Sequence, residues 1–323
     1  MKALQVVSRG VAEFISTPTP EIKSGFALVK PKYIALCGSD IRMLHHCPDE
    51  MYPFDPGTTG HEVIAEVEKI EGTHEFINQG DLCLAIAPDH KAMADYYLAP
   101  IKNLIPLAES KKKPEELLMA QQLGTVIYAC KNLPNIIGKT IVVVGQGSAG
   151  LWFNFVLKRL GAKKIIGIDR HDHRNKMSKL FGATDFLNNI KNNPIETVKE
   201  LNNGKLADIV VEAAGTESSI NLSIELAESD SGFILQFGVP HEPLIIDYSK
   251  MFRKCLSKKS IVHAARETGH SSTVEAMKFI ADGIVDASIL LTHRFLFEDV
   301  HKAYELQKNP KDGALKIIVE MQE

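Results

Sequence analysis

Residues 141–153, IVVVGQGSAGLWF, constrain the fold more tightly than any other stretch of this 323-residue chain. Four consecutive β-branched residues run into Gly145, and Gly145, Gly147 and Gly150 then fit Gly-x-Gly-x-x-Gly ahead of an apolar helical run. Glycines at that spacing are common in turns, so the pattern alone says little. Its setting adds weight: an all-apolar strand precedes it, a helix follows, and a second apolar strand, IIGIDR, reaches Asp169 nineteen residues after Gly150. In such a unit the first glycine permits a tight turn, the second lets backbone approach a pyrophosphate, and the third lets helix and strand pack closely. The helix N-terminus, opened by Ser148 and Ala149, faces the phosphates. Asp169 at the end of the second strand can accept hydrogen bonds from ribose hydroxyls and disfavours a 2′-phosphate, which points to NAD rather than NADP. Arg170 and Arg174 blur that preference, because a guanidinium tolerates a phosphate. A glycine turn with no nucleotide is the alternative reading of the same residues.

The rest of the chain has two textures. Up to about residue 110, short β-like runs such as FALVKPKYIAL, HEVIAEVEKI, DLCLAIA and ADYYLAP are separated by Gly, Pro and Asp. From about Pro114 the pattern changes. EELLMAQQLGTVIYACKNL has helical spacing, and TIVVVG, KKIIGID, DFLN, ADIVVEAAG, GFILQFG and KSIVHA then read as strands alternating with helices such as LWFNFVLKRLG and SSINLSIELAES. That alternation predicts an α/β fold with a doubly wound parallel sheet, beside a β-rich domain. THRFLF and ALKIIVEM, near the C-terminus, are expected to return to the first domain.

Composition narrows the partners. The net charge is −3, and KKK at 111–113 is the longest basic run, so no electrostatic footprint for nucleic acid or an anionic membrane exists. No apolar run approaches the roughly 18 residues that span a bilayer. Small molecules are the expected partners and the cytoplasm the expected location. Five cysteines, an odd number, do not make a disulfide framework and are read as thiols or metal ligands.

Two stretches carry metal-capable side chains. ALCGSDIRMLHHC, residues 35–47, holds Cys37, Ser39, Asp40, His45, His46 and Cys47; GTTGHEVIAEVE holds His61 and Glu62. Thiolate, imidazole and carboxylate are ligands that zinc accepts, but no short spacing ties the two stretches together. His45, His46 and Cys47 follow an expected turn and read as wall or surface. Cys83 and Cys130 lie in apolar segments and read as core; Cys255 reads as structural.

The order CGSD, then GHE, GDLC, ADYYLAP and GQGSAG resembles the zinc-dependent medium-chain alcohol and polyol dehydrogenases. FGATDFLN, DIVVEAAG and the terminal LTHRFLFEDVHKAYEL and GALKIIVEM match in order and kind, so the likeness covers nearly the whole chain. It implies a GroES-like catalytic domain over 1–121, a Rossmann NAD-binding domain over 122–263, and a segment 264–323 completing the first. It also implies a homodimer or homotetramer joined at an edge strand, for which KSIVHAA is the candidate. By position, the resemblance makes Cys37 and His61 ligands of one catalytic zinc, with Glu62 a direct ligand as in the polyol branch. Asp40 would orient His61, and Ser39 would take the substrate proton. Gly145, Gly147, Ser148, Ala149, Gly150, Asp169 and Arg174 would contact the cofactor, and Lys316 would either reach its pyrophosphate or lie on the surface.

Three departures bear on that expectation. Gln121 stands where the family has a third charged ligand, and a neutral amide oxygen is a poor substitute, so Glu62 or Gln121 must complete the site if zinc is kept. Only LAIAPDHKAM lies where many members carry a four-cysteine zinc lobe, so no structural zinc is expected. Arg42 replaces the histidine that ends the family's proton relay, and a guanidinium accepts no proton near neutral pH. The implied activity is reversible oxidation of a secondary alcohol, polyol, sugar or amino alcohol by NAD. The alternatives are a zinc-free quinone or enoyl reductase of the same fold and a non-catalytic NAD-binding protein.

Overall fold

A computed structural model describes residues 1–261 and 267–321, which fall into two compact units. One unit comprises Met1–Gly124 with Ala264–Glu323, the other Thr125–His263, so the break falls three residues beyond the expected 121/122 boundary.

The first unit is built on a mixed sheet in the order Leu291–Leu296, Lys316–Glu320, Phe26–Ala35, Glu62–Glu71, Leu82–Ala85 and Leu104–Pro106, with Tyr97–Pro100 also pairing to Phe26–Ala35. Phe26–Ala35 alternates intermediate and buried residues along most of its length, as a strand with one face on the core does. The C-terminal strand Lys316–Glu320 is antiparallel to it, with Ile318 opposite Ala35, while on the other side Ala35 lies opposite Glu62. One apolar core therefore draws on both ends of the chain: Leu4, Val29, Ile34, Val63 and Val67 pack with Phe297, Val300, Tyr304 and Ile317. Full burial of each aliphatic side chain contributes about 1.5–3 kcal/mol, which is why the terminal segment stays with this unit.

The second unit is a six-stranded parallel sheet. Its spatial order is Asp185–Asn188, Lys164–Asp169, Thr140–Val144, Ile209–Glu212, Phe233–Gln236 and Ser257–Ser260, which in chain order is 3-2-1-4-5-6. That is the doubly wound dinucleotide-binding arrangement, with the topological switch point between Thr140–Val144 and Ile209–Glu212. Every residue of Thr140–Val144 is buried, as expected of a central strand covered on both faces.

Several local expectations are corrected. Residues 38–45 form a helix, Gly38–His45, where a turn was expected before His45. The helical run after Pro114 is two helices, Pro114–Leu118 and Ala120–Cys130. Cys255 is exposed with φ 50°, not a packed structural residue, whereas Cys83 and Cys130 are buried. The sixth strand lies at Ser257–Ser260, and residues 262–265 of the candidate edge KSIVHAA lie outside the described residues. Among the described residues, no helix is long and apolar enough to cross a membrane.

Candidate metal centre and dinucleotide loop

Cys37 follows the end of strand Phe26–Ala35 and caps helix Gly38–His45. Asp40 sits at the third helical position, where its Oδ2 accepts from the Cys37 backbone N–H at 2.7 Å, one half of a capping box. Its Oδ1 accepts from Gly60 N–H at 3.0 Å. The fully buried Asp40 thus ties the first metal-capable stretch to the second. Gly60 has φ 83°, and a Cβ there would lie 3.2 Å from Ile34 Cγ2, so only glycine suits this turn into strand Glu62–Glu71. The consequence is that His61 and Glu62 arrive beside Cys37.

Cys37, His61 and Glu62 offer ligand atoms that all lie within 4.8 Å of one another. A thiolate, an imidazole and a carboxylate brought together in this way are a donor set that a tetrahedral zinc accepts with its fourth position open. Gln121 is also close, but its Nε2 donates to the His61 carbonyl at 2.8 Å, so part of its amide holds the His61 backbone. The Ser39 hydroxyl oxygen is buried with no hydrogen-bond partner.

Two residues enter the site that sequence reasoning placed elsewhere or missed. Lys316 is not on the surface: it is 1% exposed, and its Nζ lies 2.5 Å from Glu62 Oε2. Burial works against its charge, but Glu62, Cys37 and Asp40 outweigh that and hold the ammonium above the usual lysine value. His90, in the short segment between strands Leu82–Ala85 and Tyr97–Pro100, puts its Nδ1 4.0 Å from Asp40 Oδ1, as far as His61 Nδ1 is from the same oxygen. The His61 and His90 rings lie 4.3 Å apart. Burial pushes the Asp40 carboxyl up, but the imidazoles of His90 and His61 and the Cys37 N–H together hold it below the usual range. Burial and then the Glu62 charge push the Cys37 thiol up to about 11, against the pull of Lys316. A bound cation reverses that balance, since a coordinating thiol is deprotonated outright. His45 and His46 stand apart from both groups of metal-capable side chains.

In the second unit, Gly145 has φ 95° and its N–H donates to the Ile168 carbonyl at 2.8 Å. Gly147 caps helix Ser148–Arg159, so Ser148, Ala149 and Gly150 form its first turn. A Cβ on Gly150 would stand 1.8 Å from the Gly145 carbonyl oxygen, a contact no side chain can make. Gly150→Ala is therefore expected to displace the loop and weaken NADH binding by at least about tenfold, ~1.4 kcal/mol. Fluorescence titration with NADH checks it; unchanged affinity would show that the loop does not carry the cofactor.

Asp169 is 8% exposed, and its two oxygens accept backbone N–H groups from Gln146 at 2.8 Å and His171 at 2.9 Å. Arg174 Nη1 lies 3.8 Å from the same carboxylate. Burial and then Arg174 hold His171 and His173 below the ordinary histidine value. The Gln146 side chain, unremarked in the sequence, is fully buried: its Nε2 donates to the Val143 carbonyl, and its Oε1 accepts from Asn154 and Ser178. Gly167 makes room for it, because a Cβ there would lie 2.9 Å from Gln146 Cδ.

Comparison with known proteins gives two matching family models. Residues 23–108 match the family model for the alcohol dehydrogenase GroES-like domain, and residues 149–282 match that for zinc-binding dehydrogenase. An alcohol dehydrogenase of Cupriavidus necator is 27% identical over 99% of this chain and 98% of its own length. An L-threonine 3-dehydrogenase of Bacillus licheniformis is 26% identical over 95% of each. The crystal structure of an Escherichia coli oxidoreductase of unknown specificity has the same fold, with a TM-score of 0.86 at 21% identity over 100% of this chain and 99% of that one.

Proposed function

We propose, for a chain that belongs to the zinc-type medium-chain dehydrogenase family, an oxidoreductase that interconverts alcohols and carbonyl compounds with a nicotinamide cofactor. The observation that carries the reading is the meeting of Cys37, His61 and Glu62 from two distant stretches. One zinc per chain held by these three residues would act as a Lewis acid on the substrate oxygen, and NAD would accept or return hydride.

The chain's own residues have separable tasks. Asp40 positions His61 through the backbone, by accepting from the N–H of Gly60 immediately before it. Lys316 holds the Glu62 carboxylate in place and balances its charge. Ser39 takes the proton of the substrate hydroxyl; its unpartnered oxygen supports that role. Arg42 accepts no proton, so the proton passes from Ser39 to water. Gly145, Gly147, Ser148, Ala149 and Gly150 receive the pyrophosphate. Asp169 and Arg174 border the adenosine ribose, and the retained carboxylate supports NAD over NADP.

A secondary alcohol, polyol, sugar or amino alcohol is the proposed substrate, supported by the Glu62-type donor set and by the L-threonine 3-dehydrogenase relative. We place the protein in the cytoplasm, a reading supported by its unpaired cysteines. It is read as a homodimer or homotetramer through the sheet edge at Ser257–Ser260, although Lys258 and Lys259 on that strand blunt it. The test is a screen of these alcohol classes with NAD⁺ and NADP⁺, following reduced cofactor, together with metal analysis. The expected result is about one zinc per chain and turnover with NAD⁺. A stable, zinc-free protein that binds NADH without turnover would overturn it.

A further inference from the structure

Metal-capable side chains form two sets that share His61: Cys37, His61 and Glu62, and Asp40, His61 and His90. We propose that the second set is a separate resting position for a divalent transition metal, competing with the first for His61; this rests on reading the first set as a metal site.

The three ligand atoms of the second set also lie within 4.8 Å of one another. The Nδ1 atoms of His61 and His90 are both buried and both without a hydrogen-bond partner, and each lies 4.0 Å from Asp40 Oδ1. A buried polar nitrogen left unpaired is destabilising, so two of them facing one carboxylate oxygen mark a place for a cation. At 4.0 Å the pairs are too far apart to hydrogen-bond. Ligand bonds of about 2.0–2.1 Å separate neighbouring donors by about 3.4 Å in a tetrahedral site, so each Asp40–imidazole pair, at 4.0 Å, needs to close by about half an ångström to seat an ion. Asp40 cannot swing away, because Cys37 N–H and Gly60 N–H hold its two oxygens. Each oxygen keeps a further lone pair for a metal.

Chemistry separates the two positions. A neutral imidazole has one lone pair to give, so His61 serves one position at a time and the chain binds a single ion. The first set contains a thiolate, and zinc favours it. The second has two imidazoles and a carboxylate with no sulfur, a donor set suited to nickel, cobalt or copper as much as to zinc. It also explains how an ion could be held near His61 in a chain that carries Gln121 in place of a third charged ligand.

The test is titration of the full chain with Co²⁺, alone and in the Cys37→Ser and Cys37→Ser/His90→Ala variants. In the unsubstituted protein, a thiolate-to-cobalt charge-transfer band reports the first position; its absence would overturn the Cys37 assignment and leave the second position to be read from the variants. Cys37→Ser is expected to keep about one cobalt per chain, with ligand-field bands and no charge-transfer band. Adding His90→Ala is expected to weaken that binding by about tenfold or more. Cys37→Ser/His90→Gln, which keeps side-chain bulk without an imidazole, should behave alike, with unchanged circular dichroism for every variant. Equal cobalt affinity in Cys37→Ser with and without His90, or no binding by Cys37→Ser, overturns the proposal.

Discussion

His61→Ala is expected to abolish metal binding and lower kcat/KM by about a thousandfold or more. Polarisation of a reacting oxygen by a metal is worth several kcal/mol, and each 1.36 kcal/mol is tenfold in rate, which sets the scale. The loss should be complete because His61 belongs to both groups of metal-capable side chains, leaving two potential ligands in either. The fold is expected to survive: His61 lies just before strand Glu62–Glu71, its side chain is 21% exposed, and its backbone bonds to Gln121 and Ala87 do not depend on the ring. NADH affinity is expected to hold, since the Gly145 loop and Asp169 belong to the other unit. Metal content, steady-state turnover and an NADH titration together check this. Stoichiometric zinc, or activity within tenfold of the unsubstituted protein, would remove His61 from the centre of the site.

Legibility in the sequence followed the range of the interactions. The Gly145 loop and Asp169 lie on one strand–helix–strand unit, so their spacing reflects a local geometry that composition also supports. The parallel strands were visible for the same reason, as short Val- and Ile-rich runs between helices. The metal centre is different, because its parts meet only through antiparallel register. Ile318 opposite Ala35, and Ala35 opposite Glu62, bring strand Lys316–Glu320 and Glu62 to either side of the chain segment that ends at Cys37. No spacing within GALK predicts that, and Lys316 therefore looked like a surface or cofactor-facing lysine. His90 had even less signal: one histidine in a short connecting segment, at φ 52°, beside Asp40 only because of how that segment folds back. Gln121 was noticed as a departure from the family pattern, but its bond to the His61 carbonyl is a tertiary fact.

Lys316→Met is expected to destabilise the metal-free protein by about 3–5 kcal/mol, the usual cost of removing one partner from a buried ion pair. Glu62 and Lys316 have side-chain exposures of 4% and 2%, so water cannot replace the lost ammonium around the carboxylate. For a unit of this size that corresponds to a fall in Tm of roughly 10 °C in the presence of chelator. Zinc should recover much of the loss, because the ion supplies the positive charge that Lys316 gave. Lys316→Met combined with Glu62→Gln should also recover stability, since it removes both charges rather than stranding one. These two rescues separate charge from packing: a defect in volume or strand pairing would persist with zinc and in the double variant alike. Thermal melts of the four proteins of the cycle, each with chelator and with zinc, provide the measurement. If zinc stabilises Lys316→Met no more than it stabilises the unsubstituted chain, Glu62 does not face the ion, and the metal must be held by Cys37 and His61 with some other group.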